Sequence, residues 1–413
     1  MSVVRREARR RWAIVLASVA VLCAVPVALS AWPVKNIRVD ARELRDLIRR
    51  SADRPYEGYA ESVGTLGLPE LPRFGQVAAL VSGNTRMRAW YAAKDRWRVD
   101  VIETGQERGV YRTPDGIVNW DYGANQLAVV GLATVAMVVL NRDDVAMEAR
   151  YTGVEGESSN RLPRGADLLP PDLARRLLDL AEGDPATPIR GRRIAGVDAA
   201  GLRITTSAPQ STIGHIDIWA DPRTGLPLQV SVTARNAERP ILETRFLDLR
   251  LSRPSDAVLT PPEPRDGMSA TNVNPEDSFN IFDPGYPDLP DTIAGLERWA
   301  DAEVVTPDGP GERWVIRREL GTAYGTGLTR VAVLPLNRRL GNDVLRNARA
   351  WGTEITLPDT AAVLIAAPLL SVMVVHKHSR NQTYLIAGMV DGVYMQRFGE
   401  ALAAARTSNR AGR

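Results

Sequence analysis

Between Arg86 and Tyr122 the chain runs through short segments in which polar and apolar side chains alternate, each parted from the next by turn residues. Arg86-Met87-Arg88-Ala89-Trp90-Tyr91 alternates as far as Ala89, and Arg96-Trp97-Arg98-Val99-Asp100-Val101 alternates throughout. Glu107 to Arg112 follows, then a Pro114-Asp115-Gly116 turn, then Ile117-Val118-Asn119-Trp120-Asp121-Tyr122. A period of two is that of a strand with one buried face. Connections this short cannot hold a crossover, so consecutive strands must pair antiparallel, as a meander.

The same reading extends along the chain. Asn36 to Ala52 has helical spacing, with Leu44, Leu47 and Ile48 on one face, and Tyr56 to Leu66 reads as a strand. Phe74 to Leu80 suits either a short helix or a strand. Two helical segments, Leu132 to Leu140 and Pro171 to Ala181, interrupt the sheet. Strands resume at Arg192 to Val197, Gly201 to Ser207, Gly214 to Ala220, Leu226 to Ala234 and Leu242 to Leu251, with Asp221-Pro222-Arg223-Thr224-Gly225 as a hairpin turn. Residues 260–292 hold seven prolines and read as an irregular linker. A second domain follows over 293–405, with a helix near Ile293 to Ala300, several strands and a closing helix near Val393 to Ala404; residues 406–413 are a tail. The expected division is therefore 1–36, a targeting segment; 37–259, a first domain; 260–292, the linker; and 293–405, a second domain.

Trp12 to Trp32 is uncharged and mostly apolar over 21 residues. A helix of that length spans roughly 31 Å, enough for a bilayer core. Arg5, Arg6, Arg9, Arg10 and Arg11 precede it, and only Lys35 and Arg38 closely follow, so the positive-inside rule leaves the N-terminus in the cytoplasm and exports the rest. Ala28-Leu29-Ser30 allows a cleaved signal peptide, but the length of the run favours an uncleaved anchor. The first twelve residues carry +4; with a net charge of +3, the remainder is 3 − 4 = −1. A nearly neutral exported body has no basic face for nucleic acid. Cys23 is the single cysteine and lies inside the apolar run, which excludes disulfides and thiolate metal sites outside the membrane.

Met87, Tyr91, Trp97, Val99, Val101, Trp120 and Tyr122 supply large apolar groups that a common sheet face would present. Helices can cover such a face completely and make a plain core. A curled sheet only plugged by helices instead leaves an apolar cavity that takes a hydrocarbon chain. Sequence alone leaves both open.

Several segments resemble the LolA-like superfamily of lipoprotein carriers and its relative, the RseB/MucB family of envelope-stress regulators. Pro55-Tyr56-Glu57-Gly58-Tyr59 looks like the opening strand, and Asp115-Gly116-Ile117-Val118-Asn119-Trp120-Asp121-Tyr122 like an internal one. Ile218-Trp219-Ala220-Asp221-Pro222-Arg223-Thr224-Gly225-Leu226-Pro227-Leu228 is similar to the family's "TGLPL" hairpin, and Thr244-Arg245-Phe246-Leu247-Asp248-Leu249 with Pro261-Pro262 to its closing strand and exit. Tyr324-Gly325-Thr326-Gly327-Leu328-Thr329-Arg330-Val331-Ala332-Val333 and Thr383 to Leu402 resemble the regulators' second domain. The resemblance covers roughly 37–405. It implies an α+β fold: a half-open antiparallel β-barrel wrapped on helices, then a smaller α+β domain. It also implies a cavity for the acyl chain of a lipid or lipoprotein, lined by the seven residues above. The alternative it carries is a regulatory sensor whose second domain docks a membrane anti-sigma factor or a transporter. A retained anchor departs from the soluble carriers, which must travel.

Catalytic chemistry finds no footing. There is no Gly-x-Ser-x-Gly elbow and no phosphate-binding Gly-x-x-x-x-Gly-Lys-Ser/Thr loop. His376 and His378 alternate on one strand but lack the further ligands a metal needs, and His215 opens another strand. No enzyme activity, cofactor or metal is expected.

Overall fold

The computed structural model describes residues 11–12, 15–16, 18, 39–67, 81–103, 105–131, 136–141, 165–263, 268–272, 289–307 and 314–405. Most of the proposed anchor, the Phe74–Leu80 segment, half of the linker and the tail lie outside them. Among the described residues no helix is long and apolar enough to cross a membrane.

The meander forms as the alternation requires. Strands β1 (Tyr56–Gly64), β2 (Asn84–Ala93), β3 (Arg96–Glu103), β4 (Gln106–Thr113), β5 (Gly116–Asp121) and β6 (Gln126–Gly131) follow one another, each antiparallel to the last. After β7 (Ala136–Asn141), a second run comprises β8 (Ala186–Ile194), β9 (Val197–Thr205), β10 (Ile213–Ala220), β11 (Pro227–Ala234) and β12 (Leu242–Arg250). β1 also pairs with β12, joining the two runs into one open twelve-stranded sheet of order β13-β6-β5-β4-β3-β2-β1-β12-β11-β10-β9-β8. β13 (Ser269–Asn272) lies in the stretch expected to be an irregular linker; it adds to β6, parallel.

Two helices cover one half of this sheet. Helix α1 (Ala41–Arg49) starts at Asp40, whose carboxylate accepts from the Arg42 and Glu43 amides, as an N-cap should. Helix α2 (Pro170–Leu180) has proline in its first turn, where a missing N–H costs nothing. Leu44 and Ile48 of α1 and Ala174, Leu177 and Leu178 of α2 pack with Leu202 and Ile204 of β9, Ile216 and Ile218 of β10 and Val230 and Val232 of β11. Arginines of α1 then cap the end of α2: Arg45 donates to the Ala181 and Asp184 carbonyls, and Arg49 to the Leu178 carbonyl. Cations there satisfy carbonyls that lack an intrahelical partner and oppose the negative end of the helix dipole.

A second sheet has the order β14-β15-β16-β17-β21-β20-β19-β18. Its strands are β14 (Thr292–Ile293), β15 (Leu296–Pro307), β16 (Trp314–Tyr324), β17 (Val331–Leu336), β18 (Thr353–Leu357), β19 (Thr360–Ala366), β20 (Ser371–Lys377) and β21 (Gln382–Gly388). The helix expected near Ile293 to Ala300 is instead β14 and the start of β15. The helix expected at Leu132 to Leu140 is β7 over its described part, paired with β15 from Ala300 to Val305. Of the remaining helices α3 (Asp256–Leu259) is a single turn; α4 (Arg338–Ala348) and α5 (Gly392–Ala404) cover opposite faces of the second sheet. Leu340, Val344 and Leu345 of α4 meet Val363, Val372 and Val374, whereas Met395, Phe398 and Leu402 of α5 meet Met373, Val375 and Ile386. The architecture is thus the expected α+β one, an open antiparallel sheet on helices followed by a smaller sheet with its own helices.

The two sheets meet at a hydrogen-bonded seam. The Thr212 amide donates to the Met389 carbonyl, the Asp391 amide to the Gln210 carbonyl, and the Thr212 hydroxyl to the Leu369 carbonyl at 2.8 Å. Leu328 and Leu369 of the second unit are buried in the core beneath α1 and α2.

The Asp221–Gly225 turn shows why its residue types are needed. Asp221 accepts from the Arg223 amide at 3.1 Å and from the Thr224 hydroxyl at 2.9 Å. Gly225 has φ +75, and a Cβ there would lie 2.2 Å from the Leu47 carbonyl oxygen of α1. Gly225→Ala adds left-handed strain to that overlap and should cost about 2 kcal/mol or more. The expected readout is a melting temperature lower by roughly 4–8 °C.

Candidate ligand-binding face

Strand register decides which side chains share a face. Residues directly opposite in an antiparallel pair point the same way. Tyr56 faces Tyr91, and Ala60 faces Met87; Met87 then faces Val101, Ala89 faces Val99 and Tyr91 faces Trp97. Five of the seven expected site residues, Met87, Tyr91, Trp97, Val99 and Val101, therefore lie on one face. On β4 and β5 the same face continues through Arg108, Val110 and Arg112 to Asp121, Asn119 and Ile117. Trp120 is opposite Gly109, which is opposite Asp100, so Trp120 points to the other side. Tyr122 goes with Trp120, their rings edge-to-face at 5.3 Å. The seven residues do not form one surface.

Among the described residues, the face that holds the five is tightly covered at one end and less so at the other. Tyr56 stacks on Tyr91 at 5.3 Å and meets Phe246 edge-on at 5.5 Å. Gly58 makes room for this packing, since a Cβ there would lie 2.7 Å from the Phe246 ring. Ala166, Leu168 and Leu169, just before α2, lie in the same cluster as Met87, Tyr91 and Val99, all three of which are buried. The Gly165–Leu168 turn presses so close that a Cβ on Gly165 would meet Val101 Cγ2 at 2.3 Å. Beside this plug Trp97, Val110 and Ile117 are each half-buried, and Arg112, between Trp97 and Ile117, is buried. The plug has no signature among the alternating segments, because its contacts with β2 and β3 are entirely tertiary.

The opposite face carries a polar–aromatic cluster that the alternation did not reveal. Arg98 places its guanidinium 4.8 Å from the ring centres of both Trp90 and Tyr111. It grips Asp100 with two bonds, Nε to Oδ1 at 2.8 Å and a second nitrogen to Oδ2 at 2.5 Å, and donates to the Tyr122 hydroxyl at 2.8 Å. Gly109 leaves the space Asp100 needs. Asp100 is fully buried, and that loss of water raises its pKa; the bonds from Arg98 oppose the rise, and the Glu107 carboxyl adds to it. Burial likewise raises the Tyr111 phenol. As the polar members of alternating strands, Arg98 and Asp100 read as solvent-facing; the nearby aromatics Trp90, Tyr111 and Trp120 were the available hint that this face is also covered.

His376 has a structural role. His376 is buried, not at an exposed strand end, and its Nδ1 lies 2.9 Å from the Thr383 hydroxyl. Burial lowers its pKa, as it does that of His215 beside Arg203. Among the described residues no three His, Cys, Asp or Glu side chains gather as a metal site would need.

Known structures were compared with this fold. No family model and no curated protein matches the chain. A chain of the Pseudomonas aeruginosa MucA/MucB complex is similar at 15% identity and TM-score 0.43, over 87% of this chain and 97% of that one. An uncharacterised conserved protein from Thermus thermophilus aligns over 56% of this chain and 99% of its own, at 9% identity and TM-score 0.31. A LolA-superfamily protein from Nitrosomonas europaea aligns over 54% and 99%, at 11% identity and TM-score 0.22. Each is a likeness in the course of the chain. At these scores it carries nothing about ligand or partner.

Removing one member of the Arg98–Asp100 pair strands the other. Arg98→Met should destabilise the protein by about 3–5 kcal/mol, whereas the double variant Arg98→Met/Asp100→Leu should recover most of that loss. The pH dependence has a definite sign. Because the folded pKa of Asp100 is raised, the folded state binds its proton more readily than the unfolded chain, and this contribution falls as pH rises through that pKa. Without Arg98 to favour the carboxylate, Arg98→Met should regain stability as pH falls towards the carboxyl range, more than the wild type does. Denaturant titration of the three proteins at several pH values measures both effects.

Proposed function

We infer that the chain is an extracytoplasmic, membrane-anchored binding protein without catalysis, which holds an apolar ligand such as the acyl chain of a lipid or lipoprotein against the open end of its large sheet. The observation that carries this reading is where the packing stops. Helices α1 and α2 cover β9–β11, the 165–169 plug covers β2 and part of β3 including Val101, and the neighbouring apolar groups Trp97, Val110 and Ile117 are left half-buried. Half-buried apolar groups near a buried cationic side chain, Arg112, suit a hydrocarbon tail with a polar head. At about 25 cal/mol per Å², a tail burying roughly 300 Å² gains about 7 kcal/mol before association costs are subtracted. Met87, Tyr91, Val99 and Val101 serve as the floor, already covered by the chain's own residues; Trp97 and Ile117 are the groups that meet the ligand. The 21-residue apolar run after the arginine cluster supports the anchored, exported placement.

A second reading is a sensor whose second domain docks a membrane partner, an anti-sigma factor or a transporter. The seam favours it. The 165–169 plug leads directly into α2, and the far end of α2 packs in the same core as Leu328 and Leu369 of the second domain. A ligand that shifts the plug thus has a packed route to the second sheet.

The ligand reading is tested with a fluorescent polyene fatty acid and the full chain in detergent. Saturable binding is expected, with Trp97→Ser and Ile117→Ser each weakening it by about tenfold or more, a change of about 1.4 kcal/mol. Tyr122→Ser, on the other face, should leave binding unchanged. Equal melting curves establish that the variants fold; absence of saturable binding by the wild type overturns the reading.

A further inference from the structure

A sheet end presents unpaired N–H and C=O groups to any strand that can reach them, and folded proteins guard such ends. Three of the four ends here are guarded. β8 has an irregularity between Ile189 and Arg192 and exposes Arg190, Arg192 and Arg193. β13 is four residues long. At the end of the second sheet, β14 is two residues long, and β7 occupies the adjoining edge of β15.

The fourth end, β18, is the least guarded among the described residues. It runs Thr353-Glu354-Ile355-Thr356-Leu357 in unbroken register with β19 and contains no proline, lysine or arginine. Its one charge, Glu354, is held by Arg349 at 2.9 Å. Thr353, Glu354 and Thr356 are exposed, and Ile355 and Leu357 are half-buried against the core under α5. Two residues before the strand, Trp351 is 69% exposed, and so is Val393 at the start of α5. Both lie beside the end of β19, on its two faces: a Cβ on Gly352 would meet Val363 and Ile365, and one on Gly392 would meet Ala366 and Leu364; Ala366 and Pro368 are also exposed there. A lightly guarded edge beside exposed apolar side chains gives both halves of a strand-addition site, main-chain bonds for affinity and a side-chain seat for specificity.

We propose that β18 receives an extended segment of a partner protein as an added strand, apolar at alternate positions so that its side chains continue the Ile355–Leu357 row, with one apolar residue seated on Trp351. A five-residue edge with these few exposed neighbours falls short of the roughly 800 Å² per partner of a stable globular pair, which favours an extended segment over a second copy of this chain. The inference rests on the docking reading of the second domain and is independent of the apolar-ligand reading.

The test uses the full chain in detergent and a short synthetic peptide alternating threonine and valine, labelled with fluorescein. Its anisotropy should rise on binding, about tenfold more weakly for Trp351→Ser, which at an exposed position leaves the fold intact. A peptide methylated on alternate backbone nitrogens should lose binding, since it keeps the side chains but not the donors. Hydrogen exchange should slow at 353–357. Slowing elsewhere within 289–405 overturns the β18 site while leaving docking by the second domain standing. Equal binding by the methylated peptide, no binding at all, or a concentration-dependent dimer that protects β18 overturns strand addition by a partner.

Discussion

The pairing of β1 with both β2 and β12 is the contact on which the rest of the first unit depends. β1 is the first strand in the chain yet lies in the middle of its twelve-stranded sheet. On one side it continues into a local meander; on the other it must find a strand nearly two hundred residues away, as in the Ala60–Phe246 pair. Closing so long a loop costs entropy that only burial can offset. The Tyr56, Tyr91 and Phe246 rings provide that burial at the junction, and Gly58 keeps their approach free of a side chain. Without this joint the sheet would be two half-sheets, and neither the plug nor the helices would have a continuous surface to rest on.

The strands themselves were legible because one physical rule, alternate burial, writes itself into the residues one by one. Faces across strands were less so. Grouping Trp120 with Met87 treats alternation within each strand as if it carried across the turns, whereas the turns set the phase. Here the phase could be counted: Pro114-Asp115 places Thr113 opposite Gly116 and hence Gly109 opposite Trp120, and the preceding turn, between Glu103 and Gln106, places Gly109 opposite Asp100. Followed through, the register separates Trp120 from Val101 before any coordinate is consulted.

Helix and strand were confused where composition favours both. Residues 136–141 are apolar enough for either state, and pairing with β15, a partner remote in sequence, settles them as a strand. Leu296 to Ala300 has good helix formers but is drawn into the long β15 ladder. Helix α4 went unnoticed for the opposite reason. Its glycine, asparagines and aspartate lower the propensity, yet Leu340, Val344, Leu345 and Ala348 keep the helical period, and Asn337 caps the first turn by accepting from the Leu340 amide. The period was the better guide. The Arg98–Asp100 pair and the 165–169 plug could not be read at all, since both exist only through contacts between elements.

The sheet is packed unevenly, and the proposed ligand site follows that gradient. Its β9–β11 region lies under two helices that are tied to each other by arginine caps and to the second domain by the seam. Its β3–β5 region, on the same face, has the short plug beside it in place of helices, and ends in half-buried side chains. Local opening is cheapest where the fewest apolar contacts must break. A ligand entering at the β3–β5 region would therefore meet the least resistance there, and anything it displaced would press first on the plug, then on α2, then on the core shared with the second domain. The rigid half is what would let a small rearrangement at the loose half be felt beyond it, because a tightly packed helix cannot absorb a shift at one end without moving at the other.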